Sequence, residues 1–364
     1  MAYLNISGAE TGDLSEVYSS SGSVAASTVV KRTGSYSYRI NPSGAAAYIV
    51  LTGLNTAGVP AGFGVSISHT TFYLYFTTLP AANSMVAAIG ETATGNNIAE
   101  LWVDSSGQLT LVGTTTSAVI ATFSTGTQYR IEFKAQNANT CGCKVNGGSE
   151  TTVTGKSPFS NNYLRFGSTS AITMDMYVDD IAISDSAYPG AGQVNILKPN
   201  GTGNYTAWTG AYTDVDEVPH DSDTTYLTTA TLNAIETVAL DSAATGGVSG
   251  TIGTVKSVAI VRDEGAGVTI AGVLLRSGTT DNVTTGAQPG TSYVTLAKLY
   301  DTDPADSAAW TSGDLDALEV GVKNQWNTTL RCTALYAMVW CTGTVPGMIF
   351  PKPSRQAVRR ASYH

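Results

Sequence analysis

The sequence predicts an all-β protein: two jelly-roll-like β-sandwich domains in tandem, followed by an extended C-terminal arm. Three observations carry this. Thr, Val and Tyr recur among 38 glycines, and only 13% of the 364 residues are charged, against ~25% in an average domain. That composition suits short strands and tight turns better than long helices. Apolar and β-branched residues also come in short runs about 8–12 residues apart, the spacing of sandwiches and barrels. Finally, stretches such as "DSSGQL" and "NGGSE" lie between the runs and supply hairpin turns, with glycine accepting positive φ.

The first domain is expected over residues 1–187. Its runs are "SYSYRIN", "AAYIVLTG", "TTFYLYFTTL", "SMVAAIGET", "IAELWVDSSGQLTLVGT", "QYRIEFKAQ", "CKVNGGSE", "NYLRFGS" and "MDMYVDDIAISD". The uncharged Gly/Pro/Ala-rich stretch around "SAYPGAGQVN" marks a boundary, with a linker at 188–195. A second sandwich is expected over 196–345, from "IETVALDS", "VKSVAIVRDE", "VTIAGVLLRSG", "SYVTLAKLYDTD" and "LRCTALYAMVWCTG". Within it, Ser312 reads as the cap of a helical turn whose buried face holds Leu315 and Leu318. Residues 346–364 read as a basic, proline-punctuated arm. Its Lys352, Arg355, Arg359 and Arg360 would dock on an acidic neighbouring subunit by salt bridges or strand addition. No heptad or solenoid period runs through the chain.

Charge and hydropathy narrow the partners. Nineteen Lys and Arg against 28 Asp and Glu give a net −9, which argues against nucleic acid as the main partner. No apolar run approaches the roughly 20 residues of a membrane span, and "MAYLNISGAE" shows no secretion-signal pattern. A protein made in the cytosol keeps its thiols reduced. Cys141 and Cys143, too close to bridge, are expected as free thiols in an exposed loop, with zinc the weaker alternative. Cys332 and Cys341 either bridge a hairpin or stay reduced on one strand.

Catalytic signals are sparse. The chain has three histidines, His69, His220 and His364, and a Ser-His-Asp arrangement needs one beside a nucleophile. His69 reads as a surface residue at a strand start. His220 lies in an acidic loop, as a candidate base or metal ligand. Glycoside hydrolysis needs two carboxylates across a cleft. The nearest run, "TDVDEV" with Asp214, Asp216 and Glu217, lies in an apparent loop, and Asp179 and Asp180 are adjacent on a strand and so should face opposite ways. We therefore expect no enzyme and no required cofactor. Three carboxylates near the start, Glu10, Asp13 and Glu16, stand around a glycine turn and need another explanation.

"AETGDLSEV", then "VVKRTGSYSYRIN", and the closing "MYVDDIAIS" resemble the start and end of concanavalin A-like, laminin-G-like and carbohydrate-binding jelly rolls. That resemblance, over about 1–185, implies a structural calcium held by Glu10 and by Asp179 or Asp180, with backbone carbonyls near Gly34. A turn capped by Asp13 is the alternative reading of the same stretch. Sugar binding is a separate question: carbohydrate sites usually offer an exposed aromatic platform, for which Tyr73, Tyr75, Trp102 and Tyr129 are candidates, with core packing the competing role of each. The second half, from "YTAWTGAYTDVDEVPHDSDTTYL" to "LRCTALYAMVW", resembles a β-rich module of tailed-bacteriophage virion proteins. In that pattern Tyr226 would sit in the core and Trp310 under the helical turn. The two resemblances together imply a non-enzymatic virion structural protein assembled in the host cytoplasm. A capsid-surface decoration protein fits best, with a lectin-like domain outward, bound to capsid or tail subunits and self-associating, with a trimer suiting a three-fold position. The alternatives are a tail or tail-fibre receptor-binding protein and a polysaccharide depolymerase.

Overall fold

The computed structural model describes residues 1–114, 116–156, 160–265 and 269–343. Residues 3–184 build two antiparallel sheets of eight strands each. One runs Thr151–Thr154, Thr140–Val145, Gln128–Gln136, Ile67–Thr78, Asp175–Ser184, Ser37–Ile40, Val24–Ser27, with Tyr3–Ser7 also paired to Asp175–Ser184. The other runs Ser117–Thr122, Gln108–Val112, Asn97–Val103, Ser84–Gly90, Tyr163–Thr173, Ser43–Leu54, Ser19–Ser21, with Pro60–Ala61 on Ser43–Leu54. Period-two alternation sorts the side chains. In Ile67–Thr78, Phe72, Leu74 and Phe76 enter the core between the sheets, leaving Thr71, Tyr73 and Tyr75 on the outer face.

Residues 192–342 build a second, smaller sandwich of two five-stranded sheets. Its first strand, Gly192–Leu197, already begins inside the stretch expected as linker. Leu330–Thr342 is the central strand of one sheet, between Thr251–Asp263 and Gly192–Leu197. Leu335, Ala337 and Val339 point into this sandwich's own core. The alternate residues Ala334, Tyr336, Met338 and Trp340 point the other way, onto Tyr3, Ile6 and Ala182 of the first sandwich. That sheet is therefore apolar on both faces, and its outer face is the interface between the sandwiches.

Polar groups fix the register of this interface. The buried Lys256 ammonium donates to Asn5 Oδ1 and to the Ile6 carbonyl, both at 3.0 Å. Thr295 Oγ1 donates to the Ser15 carbonyl at 2.8 Å, and the Tyr3 amide to Asp301 Oδ2 at 3.1 Å. Burying a lysine is costly unless its donors are met, so its partners across the seam hold the two bodies in one relative position.

Several local expectations are corrected. Cys141 and Cys143 are not in an exposed loop; both are fully buried on the strand Thr140–Val145, where burial pushes both thiols up in pKa. Cys332 and Cys341 lie on the same strand as free, buried thiols. The helical turn is Ser312–Asp316, and its cap is Thr311, whose side chain and Asp314 exchange bonds in a capping box. Leu315, Leu318 and Trp310 are buried beside it as expected. Tyr226 is only half-buried and lies under the Arg331 guanidinium, 3.9 Å from its ring centroid. His69 is buried, edge-on to Tyr188. The arm residues Lys352, Arg355, Arg359 and Arg360 lie outside the described residues.

Candidate functional site

The three opening carboxylates hold the turn that carries them. Glu16 accepts from the Gly8 and Thr11 amides and from Ser7 Oγ. Asp13 accepts from Thr11 Oγ1 and the Ser15 amide, a local capped turn. Glu10 reaches across to the next loop and accepts from the Ser35 and Tyr36 amides at 2.8 and 3.3 Å. Gly34 lets it approach: φ there is +59°, and a Cβ would fall 2.1 Å from Glu10 Oε1. Burial, with Glu16 and Asp180 nearby, raises the Glu10 pKa from 4.5 to about 8.

Asp179 and Asp180 do not face opposite ways. A bulge interrupts the pairing between Asp179 and Ala182, and Asp180 adopts φ +47°. Both buried carboxylates therefore turn onto the Arg32–Thr33 segment. Asp179 accepts from the Arg32 amide at 2.6 Å and the Asp180 amide at 2.7 Å. Asp180 accepts from Arg32 Nη1 at 2.7 Å, Thr33 Oγ1 at 2.8 Å and the Val194 amide at 2.7 Å. The same Arg32 nitrogen donates to the Gly192 carbonyl at 2.7 Å.

This set does not fit a calcium ion. The carboxylate oxygens already accept from N–H and O–H donors, and the guanidinium supplies the positive charge the cluster needs. Among the described residues no group of three or more His, Cys, Asp or Glu side chains is placed to hold a metal. Since Gly192 and Val194 open the second sandwich, the cluster is a clasp between the bodies.

The four aromatic candidates separate. Tyr73 is buried, with the Arg32 guanidinium 3.7 Å from its centroid. Tyr75 packs edge-on against Tyr177 on the outer face. Tyr129 stacks on the core residue Phe123 at 4.3 Å, and its hydroxyl accepts from the Ser124 amide. Trp102 lines a cavity. It is half-buried, and its indole N–H donates to Glu100 Oε2 at 2.8 Å.

That cavity, about 340 Å³, lies on the outer face of the second sheet of the first sandwich. Asn83, Met85, Asn97, Glu100, Trp102 and Arg165 line it, together with the segment 168–172, whose first three residues carry hydroxyls. Its volume falls within the range of small-molecule sites. Alternation builds its inner wall: Glu100 and Trp102 share one face of Asn97–Val103, opposite the core residues Ala99, Leu101 and Val103. Glu100 is fixed by Lys156 Nζ at 2.7 Å and Asn97 Nδ2 at 2.9 Å, and these bonds hold its carboxyl below its ordinary pKa against the pull of burial. Arg165 sits between the core residues Leu164 and Phe166 on Tyr163–Thr173 and so turns outward, into the cavity. Sequence reasoning had missed Glu100 and Arg165. The available signal was the Glu-x-Trp alternation in "IAELWVD"; a lone arginine in an alternating strand reads as a solvated position.

A larger groove of about 630 Å³ lies between the sandwiches, lined by Asp13, Ser15, Tyr18, His220, Gln288 and Tyr293 among others. His220 Nε2 is 3.5 Å from Asp13 Oδ2. Its Nδ1 and the Ser15 hydroxyl are both buried without partners, and no hydrogen bond joins them. The histidine thus has an acid but no bonded nucleophile. Asp214 accepts from the Ala211 amide, capping a turn, and Glu217 accepts from Thr225 Oγ1.

No family model matches the chain, and no curated protein matches it. Among solved structures it is similar to the cellulose-induced protein Cip1, at 18% identity and a TM-score of 0.35, over 46% of this chain and 88% of that one. It is also similar to Trypanosoma rangeli sialidase, at 15% identity and 0.34, over 46% of this chain and 29% of the sialidase. A botulinum neurotoxin type C structure, concerned with cell entry through two ganglioside molecules, matches at 13% and 0.34 over 47% of this chain and 43% of that one. These likenesses are too distant to assign a family.

Proposed function

We propose that this chain is a non-enzymatic, glycan-binding β-sandwich protein of a tailed-phage virion, and that it serves as a capsid-surface decoration protein. The observation that carries the binding half is the Trp102 pocket. An aromatic ring is locked in place by Glu100 beside amide, hydroxyl and guanidinium groups, the combination that recognises a sugar ring and its hydroxyls. The non-enzymatic half is supported by the roles of the acids. Glu10, Asp13, Glu16, Asp179 and Asp180 all hold loops, strands and the inter-sandwich clasp. The virion setting is supported by the resemblance of residues 195–344 to phage virion modules and by the packed seam, which makes a rigid two-lobed body suited to a surface knob.

Calorimetric titration of the full chain with a panel of bacterial surface oligosaccharides tests the binding half. Wild type should bind at least one, and Trp102→Ala should abolish that binding while leaving the unfolding midpoint unchanged. Heat without Trp102 dependence would move the site elsewhere. Gold-labelled antibody against the chain, imaged on intact particles, tests the setting. Label over the head supports decoration, label at the tail supports the receptor-binding alternative, and unlabelled particles refute the virion reading.

A further inference from the structure

We infer that the Trp102 pocket selects an acidic saccharide, one bearing a carboxylate such as a hexuronate unit, and that Arg165 receives the carboxylate. The inference rests on the glycan-binding reading of the pocket and adds the class of sugar.

Arg165 is only 2% exposed. A guanidinium stays protonated in a protein, and buried charges are normally paired. The chain follows that rule elsewhere. Of the seven described arginines, six lie within 4 Å of an acid: Arg32 with Asp180, Arg39 with Asp175, Arg130 with Glu132, Arg262 and Arg331 with Asp223, and Arg276 with Asp281. Arg165 has none, and every Asp and Glu of the chain lies among the described residues. Its partners are neutral: the Ala93 carbonyl at 2.9 Å, Asn97 Oδ1 at 3.4 Å and Met85 Sδ at 3.3 Å. Its Nε is buried with no partner at all.

The one acid in the pocket cannot serve. Glu100 gives its oxygens to Lys156, Asn97 and Trp102. Lys156, outside the cavity lining, is paired directly with Glu100 at 2.7 Å, so the buried Arg165 guanidinium in the lining has no acid bonded to it. A planar carboxylate matches the guanidinium fork and would supply the missing partner. The sugar ring attached to it would lie against Trp102, within reach of Asn83, Asn97 and the hydroxyls of Ser168, Thr169 and Ser170 that line the same cavity.

The test uses the full chain and matched ligands, hexuronate oligosaccharides (galacturonate, mannuronate and glucuronate types) and their methyl esters, titrated by calorimetry. Esterification removes the charge and keeps the ring. Wild type should bind a free acid at least about tenfold tighter than its ester, the loss of one charge-assisted hydrogen bond. Arg165→Gln should bring that ratio near one, and Trp102→Ala should weaken both forms. Equal binding of acid and ester by wild type overturns the acidic specificity and leaves the glycan reading standing. An acid preference that survives in Arg165→Gln overturns the role of Arg165. If wild type binds neither form of any of these ligands but binds a neutral oligosaccharide through Trp102, the specificity is wrong; if it binds no saccharide at all, the glycan reading falls with it. The ester comparison needs no variant, so a poorly folding Arg165→Gln does not protect the proposal.

Discussion

Replacing Lys256 with methionine probes the seam between the sandwiches. The lysine is 3% exposed, and burial lowers its pKa from 10.5 to about 8, opposed by the Glu16 carboxylate. A lowered lysine pKa means that between pH 8 and 10.5 the unfolded chain keeps a proton the folded chain has shed. Stability must therefore rise with pH across that window. The span of 10.5 − 8 = 2.5 pKa units corresponds to about 3 kcal/mol. Methionine fills similar space without an amine. It removes that charge-burial cost near pH 7 but takes the lysine donor from the Ile6 carbonyl, at about 1–3 kcal/mol if that buried acceptor is left unmet, while Asn5 Oδ1 keeps the Ile6 amide at 2.8 Å. The two effects oppose each other at pH 7, so the variant should lie within about 2 kcal/mol of wild type there. Near pH 10 the wild-type amine is neutral and still donates, and the methionine variant should fall behind by a further 2–3 kcal/mol or so. Urea unfolding followed by tryptophan fluorescence at pH 7, 8, 9 and 10 measures the difference directly. If the two stabilities run parallel across pH 8–10, Lys256 is not buried with a lowered pKa, and the seam is not closed as described.

Glu10→Gln should act in the opposite direction. A carboxyl raised from 4.5 to about 8 makes wild-type stability fall as pH rises through that interval, and the neutral amide should remove the fall; the measurement is thermal midpoint against pH from 4.5 to 8. Gly34→Ala should cost about 2 kcal/mol or more, because φ +59° and a Cβ 2.1 Å from Glu10 Oε1 are both penalised; a midpoint within 1 °C of wild type would show that the loop yields. The four buried thiols should resist a thiol-specific reagent in the native chain and react in denaturant, and rapid labelling of Cys141 or Cys143 in the native chain would contradict their burial. Expressed alone, residues 188–364 should bind a hydrophobic dye or aggregate, since Val258, Ile260, Tyr336, Met338 and Trp340 lose their cover; a soluble, dye-silent fragment would count against the seam.

The strands were legible because their signals are local. Alternation in "TTFYLYFTTL" and the turn residues of "NGGSE" act over a few positions. The capping box was misplaced by one residue because Thr311 and Ser312 are both competent caps. The Asp179–Asp180 cluster was misread for a physical reason. Strict alternation sends neighbours to opposite faces, and only the bulge, with Asp180 at positive φ, brings both to Arg32. Nothing in the local pattern announces a bulge between two aspartates. Within the Trp102 pocket, Trp102 was identifiable as an aromatic in a strand. Arg165 was not, because its importance depends on the acids it lacks, and a missing partner is a property of the whole fold.

The seam itself had a sequence signature. A strand buried on one face alternates, whereas one covered on both faces reads as a continuous apolar run. "TALYAMVWC" is continuous, unlike "SYSYRIN" or "QYRIEFKAQ" in the first sandwich. Its odd-numbered residues Leu335, Ala337 and Val339 fill the core of the second sandwich, and its even-numbered residues Tyr336, Met338 and Trp340 face the first. Such a run in a small sandwich has no second core of its own to fill, so it requires another body on its outer side. The opening acids, the Asp180 clasp and Lys256 are then parts of one arrangement. The apolar face supplies the area of the contact, while Asp180, Arg32 and Lys256, each met by a partner across the boundary, fix its register. Of the acids at the start of the chain, Asp13 reaches the second sandwich at His220, while Glu10 and Glu16 hold the turn that lies beside the boundary.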